Sequence, residues 1–518
     1  MLTLSADQAQ WGALPVGPPK LITPTYDLSA RRVGIVHFGV GGFHRAHQAL
    51  YLDRLFSAGH PMEWAICGVG LMPGDASMRD ALVPQGGLYT LVSKAPDGSS
   101  RARVVGSIAE YLHAPEDADA VLKRLTDPQV RIVSLTVTEG GYNYHPSTGA
   151  FQEDTPAVAV DIAADFQPES AASEGVPRHP TTMFGFLVEA LRRRRDAGVQ
   201  PFTVLSCDNV LGNGDLTKRM VLAYAELKDR AEHRAPVAEW IRENVGFPNT
   251  MVDRITPATT EADRESVREV YGINDAWPVV SEDFSQWVIE DHFPAGRPAL
   301  EEVGVQLVDD VEPYELMKLR LLNCSHQAIA YLGLLLGHTY AHEAVADPDL
   351  AVFVRGMYMD AEAIHTVPEV PGIDLTQYRD QLMQRFGNEA IADTLARLAA
   401  DSSDRIPTWL LPVIRENLSA GRSVAASAAI VASWARYAEG VGENREQWPV
   451  ADRLRSRLMR SAAQHDDDIL AFLRDEEIFG DLVEHAAFTD PYTSALVTLR
   501  EQGARALVQT LVSAPGRG

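Results

Sequence analysis

The sequence predicts an α/β protein of two domains, the first built on a parallel sheet and the second mainly α-helical. In the first half, short β-branched runs alternate with helix-like stretches, which is typical of a parallel sheet with helical crossovers. After about residue 310, nearly every segment has helical periodicity, with Pro and Gly mainly between the segments. The length of 518 residues also exceeds what one hydrophobic core usually covers. We therefore divide the chain into residues 1–305 and 306–518.

Four short apolar runs are predicted as buried strands of the parallel sheet, and a fifth run follows them. The stretch Tyr89–Ser107 favours a β-hairpin over a strand–helix unit. The predicted strands are Val33–Phe38, Glu63–Cys67, Val130–Val137, Phe202–Ser206 and Thr250–Ile255. The predicted helices between them are His44–Ala58, Asp117–Leu125, Met183–Ala197 and Leu216–Glu243.

Composition and charge indicate an ordinary globular protein with a small-molecule partner. Hydrophobic residues make up 46% and charged residues 23%, and the formal net charge of −25 argues against nucleic-acid binding. The longest apolar stretch, Ala328–Leu336, is well short of the roughly 20 residues that a membrane span needs. Residues Met1–Pro15 lack the basic and apolar runs of a signal peptide. We expect a cytoplasmic protein that contacts neither nucleic acid nor membrane.

The three cysteines are Cys67, Cys207 and Cys324, and they lie more than 100 residues apart. Their odd number and wide spacing fit neither a disulfide framework nor a clustered zinc site. The pattern is typical of a protein from a reducing compartment.

A glycine-rich turn follows the first predicted strand. In this turn, glycines let the backbone approach a pyrophosphate, and the following helix N-terminus offers amide donors. The match to the usual dinucleotide fingerprint is partial, because His44 stands where the third glycine would fall. A plain tight turn is the alternative, but the position after the first strand favours nucleotide binding. The candidate cofactor residues are Phe38, Gly39, Val40, Gly41, Gly42 and Arg45.

Asp75 follows the second predicted strand. An acid at this position can accept hydrogen bonds from the adenosine ribose and repel a 2′-phosphate. The alternative is an ordinary aspartate in a surface loop. If Asp75 contacts the ribose, the cofactor is NAD and not NADP.

The segment after Tyr314 places three polar residues on an apolar helix face. At about 100° per residue, Asn323 lies about 140° and His326 about 80° from Lys318, within one arc that also holds leucines. Burial lowers the pKa of a lysine, and a lysine tuned towards neutrality is a competent general base for an alcohol. The alternatives are a satisfied core histidine and a lysine that reaches out to solvent. Three such groups together favour a catalytic face.

Asn209 ends the segment Ser206-Cys-Asp-Asn209 after the fourth strand, at the edge where open α/β sheets bind ligands. It can join Asn323 in donating hydrogen bonds to a substrate oxygen as negative charge builds up. The alternative is an asparagine that satisfies a turn.

Two further patterns point to other enzyme classes. Tyr314 and Lys318 have the spacing of the catalytic pair of short-chain dehydrogenases, but here the pair opens the second domain. His338 and His342 could face a metal from one helix, but Glu343 follows the second histidine and not the first. We therefore predict no metal site.

Several motifs in order resemble the polyol-specific long-chain dehydrogenase family, from about residue 20 to residue 510. Three of the seven motifs contain candidate residues described above. They are Gly34–His47, Thr138–Tyr142, Ser206–Asn209, Met251–Pro257, Lys318 with Asn323 and His326, Val370–Leu375, and Glu476–Gly480.

The resemblance implies a Rossmann-type first domain, a helical second domain and an active site between them. It implies metal-free, NAD-dependent interconversion of a polyol and a ketose, by a chain that acts as a monomer. In this scheme Lys318 is the general acid/base, Asn209 and Asn323 polarise the substrate oxygen, and His326 orients the substrate and the lysine. The remaining family positions fall on Asp253 and Arg397, which hold substrate hydroxyls, and on Glu139, near a proton path.

One departure concerns the cofactor. Close relatives carry two adjacent acids after the second strand, whereas this chain has Gly74-Asp75, which leaves room for some NADP use. The substrate also stays open between polyols such as arabinitol or sorbitol and a uronate, whose carboxylate Arg397 could bind. A catalytically silent nucleotide sensor is the alternative from another class.

Overall fold

The computed structural model describes residues 2–5, 21–145, 148–166, 178–232, 234–443 and 447–513. The stretch 1–15, for which the sequence predicts no signal peptide, lies mostly outside these residues. The chain divides into two compact units. The first unit comprises residues 1–95 and 99–312, and the second unit comprises residues 96–98 and 313–518.

The first unit is built on a five-stranded sheet in which all neighbouring strands are parallel. In chain order, the sheet has its third strand at one edge, then the second, first, fourth and fifth. This order is that of the Rossmann fold and confirms the predicted α/β class. Across the sheet, the strands are Ile108–His113, Ala65–Gly70, Val33–Phe38, Ile132–Leu135 and Thr203–Ser206.

Alternate residues of these strands enter two hydrophobic cores, one on each face of the sheet. Ile35 belongs to one core, and Val36 and Phe38 belong to the other. A parallel sheet covered on both faces is apolar throughout, which explains the continuous apolar runs in the sequence. The α-helices of the unit are Gly42–Ala46, Gln48–Ser57, Ala76–Leu82, Ala118–Thr126, Pro156–Ala163, Met183–Asp196, Asn213–Ala231, Ala238–Asn244 and Glu261–Tyr271.

Two sequence predictions for this sheet need correction. The strand Ile108–His113 was not predicted, because its polar residues interrupt the apolar run. The strand Thr250–Asp253 exists, but it pairs antiparallel with Gln286–Glu290 in a separate three-stranded sheet completed by Gln306–Val308. The hairpin prediction is confirmed, since Tyr89–Lys94 pairs antiparallel with Ser100–Val105.

The predicted helix Leu216–Glu243 is two helices, Asn213–Ala231 and Ala238–Asn244. Pro236 lies between them and has no N–H to continue a helix. The carboxylate of Asp229 accepts hydrogen bonds from the backbone N–H groups of Val237 and Ala238, which gives the second helix its start.

Smaller elements complete the first unit. A four-stranded sheet places Val279–Glu282 beside the hairpin on one side and Leu21–Ile22 on the other. Leu2–Thr3 pairs with Ile273–Asn274. Short 3-10 turns lie at Leu28–Ala30, Pro73–Asp75, Glu139–Tyr142 and Leu300–Val303.

The second unit is helical across its described residues, as predicted. Its core includes the buried ring of Trp434, which contacts the rings of Phe472 and Phe479. The α-helices are Glu312–Met317, Cys324–Leu335, Ala341–Ala346, Pro348–Val352, Leu375–Phe386, Leu395–Ala399, Ser402–Ser419, Ala425–Tyr437, Arg455–Ala462, Glu476–Phe479 and Ala486–Ser513, the last broken at Gly503. The π-helical segments are Lys318–Asn323 and Phe353–Asp360, and 3-10 turns lie at Ala363–Thr366, Glu389–Ile391, Ala471–Arg474 and Leu482–Glu484.

Among the residues that the structure describes, none of the helices combines the length and the apolar character needed to cross a membrane.

Candidate active site

In the first unit, the strand order brings the predicted cofactor and substrate residues to one edge of the sheet. The first and fourth strands, Val33–Phe38 and Ile132–Leu135, are neighbours although their chain connections run in opposite directions across the sheet. Ligands of open α/β sheets bind at this point, beyond the carboxyl ends of the strands. The turn after the first strand, the segment after the fourth and Asn209 after the fifth all lie at this edge.

The turn at residues 39–42, here called the glycine loop, is fixed by a close backbone contact. Gly39 has φ +91°, and a Cβ atom built on it would lie 2.1 Å from the carbonyl oxygen of Thr136. The Thr136 hydroxyl donates a 2.7 Å hydrogen bond to the Gly39 carbonyl. A glycine is therefore required where the two segments meet, and the loop is pinned at the predicted cofactor end.

Two buried histidines lie behind the glycine loop. The ring of His44 stacks on that of His37 with centroids 3.4 Å apart. Burial lowers the pKa of His37 to about 3, and burial together with the neighbouring His37 and Arg45 lowers the pKa of His44 well below its usual value. Both rings are therefore neutral at physiological pH. This stack explains why a histidine fits where the dinucleotide fingerprint has its third glycine.

The His37 ring also has a defined tautomer. Its Nε2 lies 2.9 Å from the Thr136 hydroxyl, whose proton is already donated to Gly39. Nε2 must therefore carry the ring proton and donate, and Nδ1 accepts from the Ser134 hydroxyl at 2.8 Å. Sequence reasoning missed His37, Ser134 and Thr136, because each lies inside or just after an apolar strand.

Arg45 and Asp75 lie at the predicted end of the sheet but make contacts within the protein. The Arg45 guanidinium is buried, and it donates to the carbonyls of Trp277 and Gly41. Burial lowers its pKa to about 10. One carboxylate oxygen of Asp75 accepts from the backbone N–H of Met72 at 2.9 Å. The cofactor roles of both residues stay predictions.

Asp208 holds the segment that carries Glu139. Its carboxylate accepts from the backbone N–H groups of Val137 at 3.0 Å and Thr138 at 2.8 Å, and from the Tyr142 hydroxyl at 2.6 Å. These bonds stabilise Thr138 at φ +62°, a strained value for a β-branched residue. Burial raises the pKa of Asp208 above its usual value.

Glu139 and Asn209 are both exposed. Glu139 follows Thr138, which donates to Asp208, and Asn209 follows Asp208 itself. Sequence reasoning named Asn209 but passed over the adjacent Asp208. An acid directly after a buried strand was the available signal.

Asp253 ends the strand Thr250–Asp253 and is buried. The next residue, Arg254, donates to the carbonyls of Glu282 and Ala46 at 2.7 and 2.6 Å. These bonds tie the end of the strand to two other segments of the first unit. The strand end is therefore held rigidly, which suits a side chain that positions a ligand.

In the second unit, the segment of Lys318 is not the regular α-helix that the sequence predicts. Lys318–Asn323 is a π-helical segment, here called the lysine turn, and the backbone N–H of Cys324 donates to the carbonyl of Leu319, five residues earlier. In a helix with bonds between residues five apart, Lys318 and Asn323 stack along one side. The predicted separation of about 140° is therefore wrong, because it assumed α-helical geometry. π-helical turns of this kind are frequent at functional sites.

The side chains of the lysine turn are buried. Lys318 is 7% exposed and Asn323 is 4% exposed. Among the residues that the structure describes, the side-chain Nδ2 of Asn323 finds no hydrogen-bond partner, although buried amide donors are nearly always satisfied. His326 is partly exposed and packs on the ring of Phe386, with centroids 5.0 Å apart. An unsatisfied donor beside a lysine suits a site that receives a substrate oxygen.

The guanidinium of Arg397 is already bonded to a side chain of the protein. Its guanidinium makes two hydrogen bonds to the carboxylate of Asp393, at 2.7 and 2.5 Å, and its side chain is half exposed. Asp393 therefore orients Arg397 in the second unit. The predicted contact of Arg397 with substrate hydroxyls stays a prediction.

The side chains of the two other patterns, Tyr314 and the pair His338 and His342, make contacts within the protein. The Tyr314 hydroxyl is engaged with the carbonyl of Pro371 at 2.7 Å. The His338 ring lies 3.9 Å from the carboxylate of Asp347, and the His342 ring stacks on Tyr340. Within the described ranges, no three His, Cys, Asp or Glu side chains are grouped so as to hold a metal ion.

Comparisons with known proteins cover both units. Residues 33–302 match the model of the mannitol dehydrogenase Rossmann domain, and residues 310–500 match the mannitol dehydrogenase C-terminal domain. Mannitol 2-dehydrogenase of Pyrenophora tritici-repentis is 43% identical over 490 residues, which is 94% of this chain and 83% of that protein. Mannitol 2-dehydrogenase of Aspergillus fumigatus is 43% identical over 485 residues, 93% of each chain.

Two solved structures are similar over almost their full length. The mannitol 2-dehydrogenase of Pseudomonas fluorescens, in ternary complex with NAD and D-mannitol, has a TM-score of 0.86 and 41% identity. This comparison covers 99% of this chain and 100% of the other. A D-sorbitol dehydrogenase in substrate-free form has a TM-score of 0.86 and 36% identity, covering 98% and 100% of the two chains. With both domain models matched in order, the chain belongs to the mannitol dehydrogenase family.

Proposed function

We propose that this protein oxidises a polyol at C2 to a ketose with NAD and catalyses the reverse reduction, with D-mannitol and D-fructose as the pair. The observation that carries the proposal is the likeness over 99% of the chain to an enzyme solved with NAD and D-mannitol. The sequence motifs that resemble those of polyol dehydrogenases imply the same reaction.

The residues of the first unit fit a dinucleotide. The glycine loop lies where the strand order reverses, and Gly39 leaves no room for a side chain against Thr136. We assign Phe38, Gly39, Val40, Gly41, Gly42 and Arg45 to the pyrophosphate end and Asp75 to the adenosine ribose. When bound, NAD supplies the acceptor for the hydride of the alcohol carbon. Gly74 removes one repulsive charge against a 2′-phosphate, so we expect NAD to be preferred and NADP to be used weakly.

Lys318 is assigned as the general acid/base of the reaction. In its neutral form, the amine removes the proton from the C2 hydroxyl, and in the reverse direction the ammonium returns that proton. Asn323, stacked beside it on the lysine turn, donates its unsatisfied Nδ2–H to the substrate oxygen as negative charge develops. Asn209 is assigned the same task.

The remaining site residues hold the substrate or carry protons. His326 orients the substrate and the amine of Lys318. Asp253 and Arg397 are assigned to substrate hydroxyls, and Asp393 keeps the Arg397 guanidinium in one orientation. Glu139 is assigned to the path by which the proton leaves. Since Lys318 supplies the base, we propose a metal-independent reaction, which full turnover after treatment with EDTA would support.

D-Sorbitol is a second candidate substrate, because a D-sorbitol dehydrogenase matches this chain with the same TM-score of 0.86. The lower identity of 36%, against 41% for the mannitol enzyme, ranks it second. Sorbitol and mannitol differ in configuration at C2, the carbon that reacts. Discrimination between them therefore tests how the substrate is held.

The first experiment follows NADH absorbance with purified protein and D-fructose, D-fructuronate and other ketoses, and repeats the best substrate with NADPH. Rapid oxidation with fructose and little with fructuronate supports the proposed pair. The product of fructose reduction is then separated as mannitol or sorbitol, which decides between the two polyols. Preference for fructuronate would instead assign the enzyme as a uronate reductase with the same lysine chemistry. NADH binding without turnover on any ketose would favour a nucleotide sensor.

We further propose that the protein acts as a monomer in the cytoplasm. All three cysteines are free and buried, which suits a reducing compartment. Sedimentation of the active enzyme at assay concentration tests the monomer.

A further inference from the structure

Two π-helical segments of the second unit are linked by a buried hydrogen bond. The hydroxyl of Tyr358, in the segment Phe353–Asp360, donates a 2.8 Å bond to the carbonyl of Arg320, in the lysine turn. The two residues are 38 positions apart in the chain. The Tyr358 ring is fully buried, and the Cys324 thiol is a neighbour of its hydroxyl.

The geometry of the lysine turn explains why this carbonyl needs a donor from outside. In an α-helix, the carbonyl of Arg320 would accept from the N–H of Cys324, four residues later. That N–H is instead bonded to the carbonyl of Leu319. The Tyr358 hydroxyl takes the position of the missing α-helical donor. Removing it would favour a return of the Cys324 N–H to Arg320 and hence an α-helical turn.

Other hydrogen bonds anchor the same turn. The Arg320 guanidinium makes two hydrogen bonds to the carboxylate of Glu416, at 3.0 and 2.6 Å. The hydroxyl of Ser325 donates to the carbonyl of Leu321 at 2.6 Å. Among these contacts, the bond from Tyr358 is the one made to the carbonyl whose α-helical partner has moved. It is therefore the contact that discriminates between the π and α forms.

The form of the turn decides how the two proposed catalytic groups are arranged. In the π form, Lys318 and Asn323 stack on one side of the helix, so that both can reach a single substrate oxygen. In the α form they would lie about 140° apart. A small misplacement of reacting groups costs large factors in rate, because proton transfer requires hydrogen-bond contact.

We propose that Tyr358 is a positioning residue whose hydroxyl holds the lysine turn in its π-helical form and thereby aligns Lys318 with Asn323. The proposal rests on the proposed function, which assigns the reaction to these two side chains. The aromatic ring of Tyr358 fills the core in any case. The hydroxyl alone carries the positioning role, and Tyr358→Phe separates the two.

The test compares Tyr358→Phe with Tyr331→Phe in the full-length enzyme. Tyr331 is the matched control, since it is also fully buried and its hydroxyl is hydrogen-bonded to Gln327 and Ser402, neither of which belongs to the lysine turn. For Tyr358→Phe, we expect kcat for fructose reduction to fall at least tenfold and the pH profile of kcat to shift. We expect the Kd for NADH to stay within twofold and kcat of Tyr331→Phe to stay within threefold of the parent.

The outcomes separate positioning from stability. A melting temperature lowered equally in both variants, with kcat lost only in Tyr358→Phe, supports the proposal. Equal kcat values in the two variants, or a pH profile unchanged in Tyr358→Phe, would overturn it. Lys318→Ala is measured in parallel. If that variant keeps its turnover, the lysine assignment fails and the positioning proposal fails with it. If it is inactive while Tyr358→Phe is normal, only the positioning proposal is lost.

Discussion

The glycine loop of the first unit and the lysine turn of the second are held in place by different means. The loop depends on contacts between residues at the ends of two adjacent strands, Gly39 and Thr136, and a side chain at Gly39 has no space. The lysine turn depends on a hydroxyl from a separate helical segment. The loop thus requires a glycine at its own position, whereas the turn requires a hydroxyl donor from another segment. A variant in the loop should act on cofactor binding, and a variant in the turn on chemistry.

The largest expected effect is that of Lys318→Ala. Loss of the proposed general acid/base should lower kcat by about 100- to 10,000-fold, the range usual for such groups. The Kd for NADH, measured by fluorescence titration, should change little because the proposed cofactor residues lie in the first unit. A lower kcat with an unchanged Kd would show that Lys318 acts in the chemical step and not in cofactor binding.

Tyr314→Phe is the control for the lysine variant. Its hydroxyl is bonded to the carbonyl of Pro371, so we expect near-normal turnover. A loss comparable to that of Lys318→Ala would instead support the catalytic pair of the short-chain dehydrogenases. Near-normal turnover in Lys318→Ala would remove the lysine from its role.

Gly39→Ala should show the opposite pattern. The added methyl group would lie 2.1 Å from the carbonyl oxygen of Thr136, and φ of +91° is unfavourable for alanine. We expect the loop to shift, the Kd for NADH to rise at least tenfold, and the melting temperature of the cofactor-free protein to fall. The kcat at saturating NADH should fall much less than in Lys318→Ala.

Gly41→Ala separates strain in the loop from contact with the cofactor. A Cβ atom at Gly41 meets nothing nearer than the carbonyl oxygen of Gly39 at 3.9 Å. The cofactor-free Gly41→Ala protein should therefore melt like the parent. If both variants melt like the parent, the contact of Gly39 with Thr136 does not fix the loop.

The same contrast explains what the sequence could predict. The strand Val33–Phe38, the glycines after it and Asn209 after the strand Thr203–Ser206 were all readable, because strand period and turn chemistry are local. The strand Ile108–His113 and the separate sheet that contains Thr250–Asp253 could not be predicted from the sequence. Their pairing depends on partners distant in the chain, which a single sequence does not encode locally.

In the second unit, the sequence indicated a group of buried polar residues, but not the helical geometry of the segment that carries them. Lys318, Asn323 and His326 stood out as polar groups in an apolar run, but α-helical angles misplaced Asn323 relative to Lys318. No local signal marks a π-helical turn, since its extra residue is stabilised by contacts such as that of Tyr358. Asp208 had a local signal, an acid that follows a buried strand, but its role depends on three donors from the segment of another strand.

The smallest expected effect on turnover is that of replacing Glu362, a buried carboxyl near Tyr358. This replacement should change stability and leave turnover nearly unchanged. Glu362 is fully buried, and its carboxylate accepts from the backbone N–H groups of Ala426 and Ser427 and from the Ser427 hydroxyl. These bonds anchor the chain just after the segment Phe353–Asp360 to the helix Ala425–Tyr437. Burial raises the pKa of Glu362 from 4.5 to about 7.

Because the folded-state pKa lies above the unfolded value, the folded protein binds more protons than the unfolded chain between pH 4.5 and about 7. The contribution of Glu362 to stability is therefore greatest below pH 4.5 and declines as pH rises to about 7, by about 3 kcal/mol in total. Glu362→Gln cannot ionise and escapes this decline, although it loses one acceptor. Relative to the parent, the variant should thus gain stability between pH 5 and pH 8 in urea unfolding. The exposed Glu476→Gln serves as the control, and a gain of the same size there, or none in Glu362→Gln, would show that the buried carboxyl is not the source of the pH dependence.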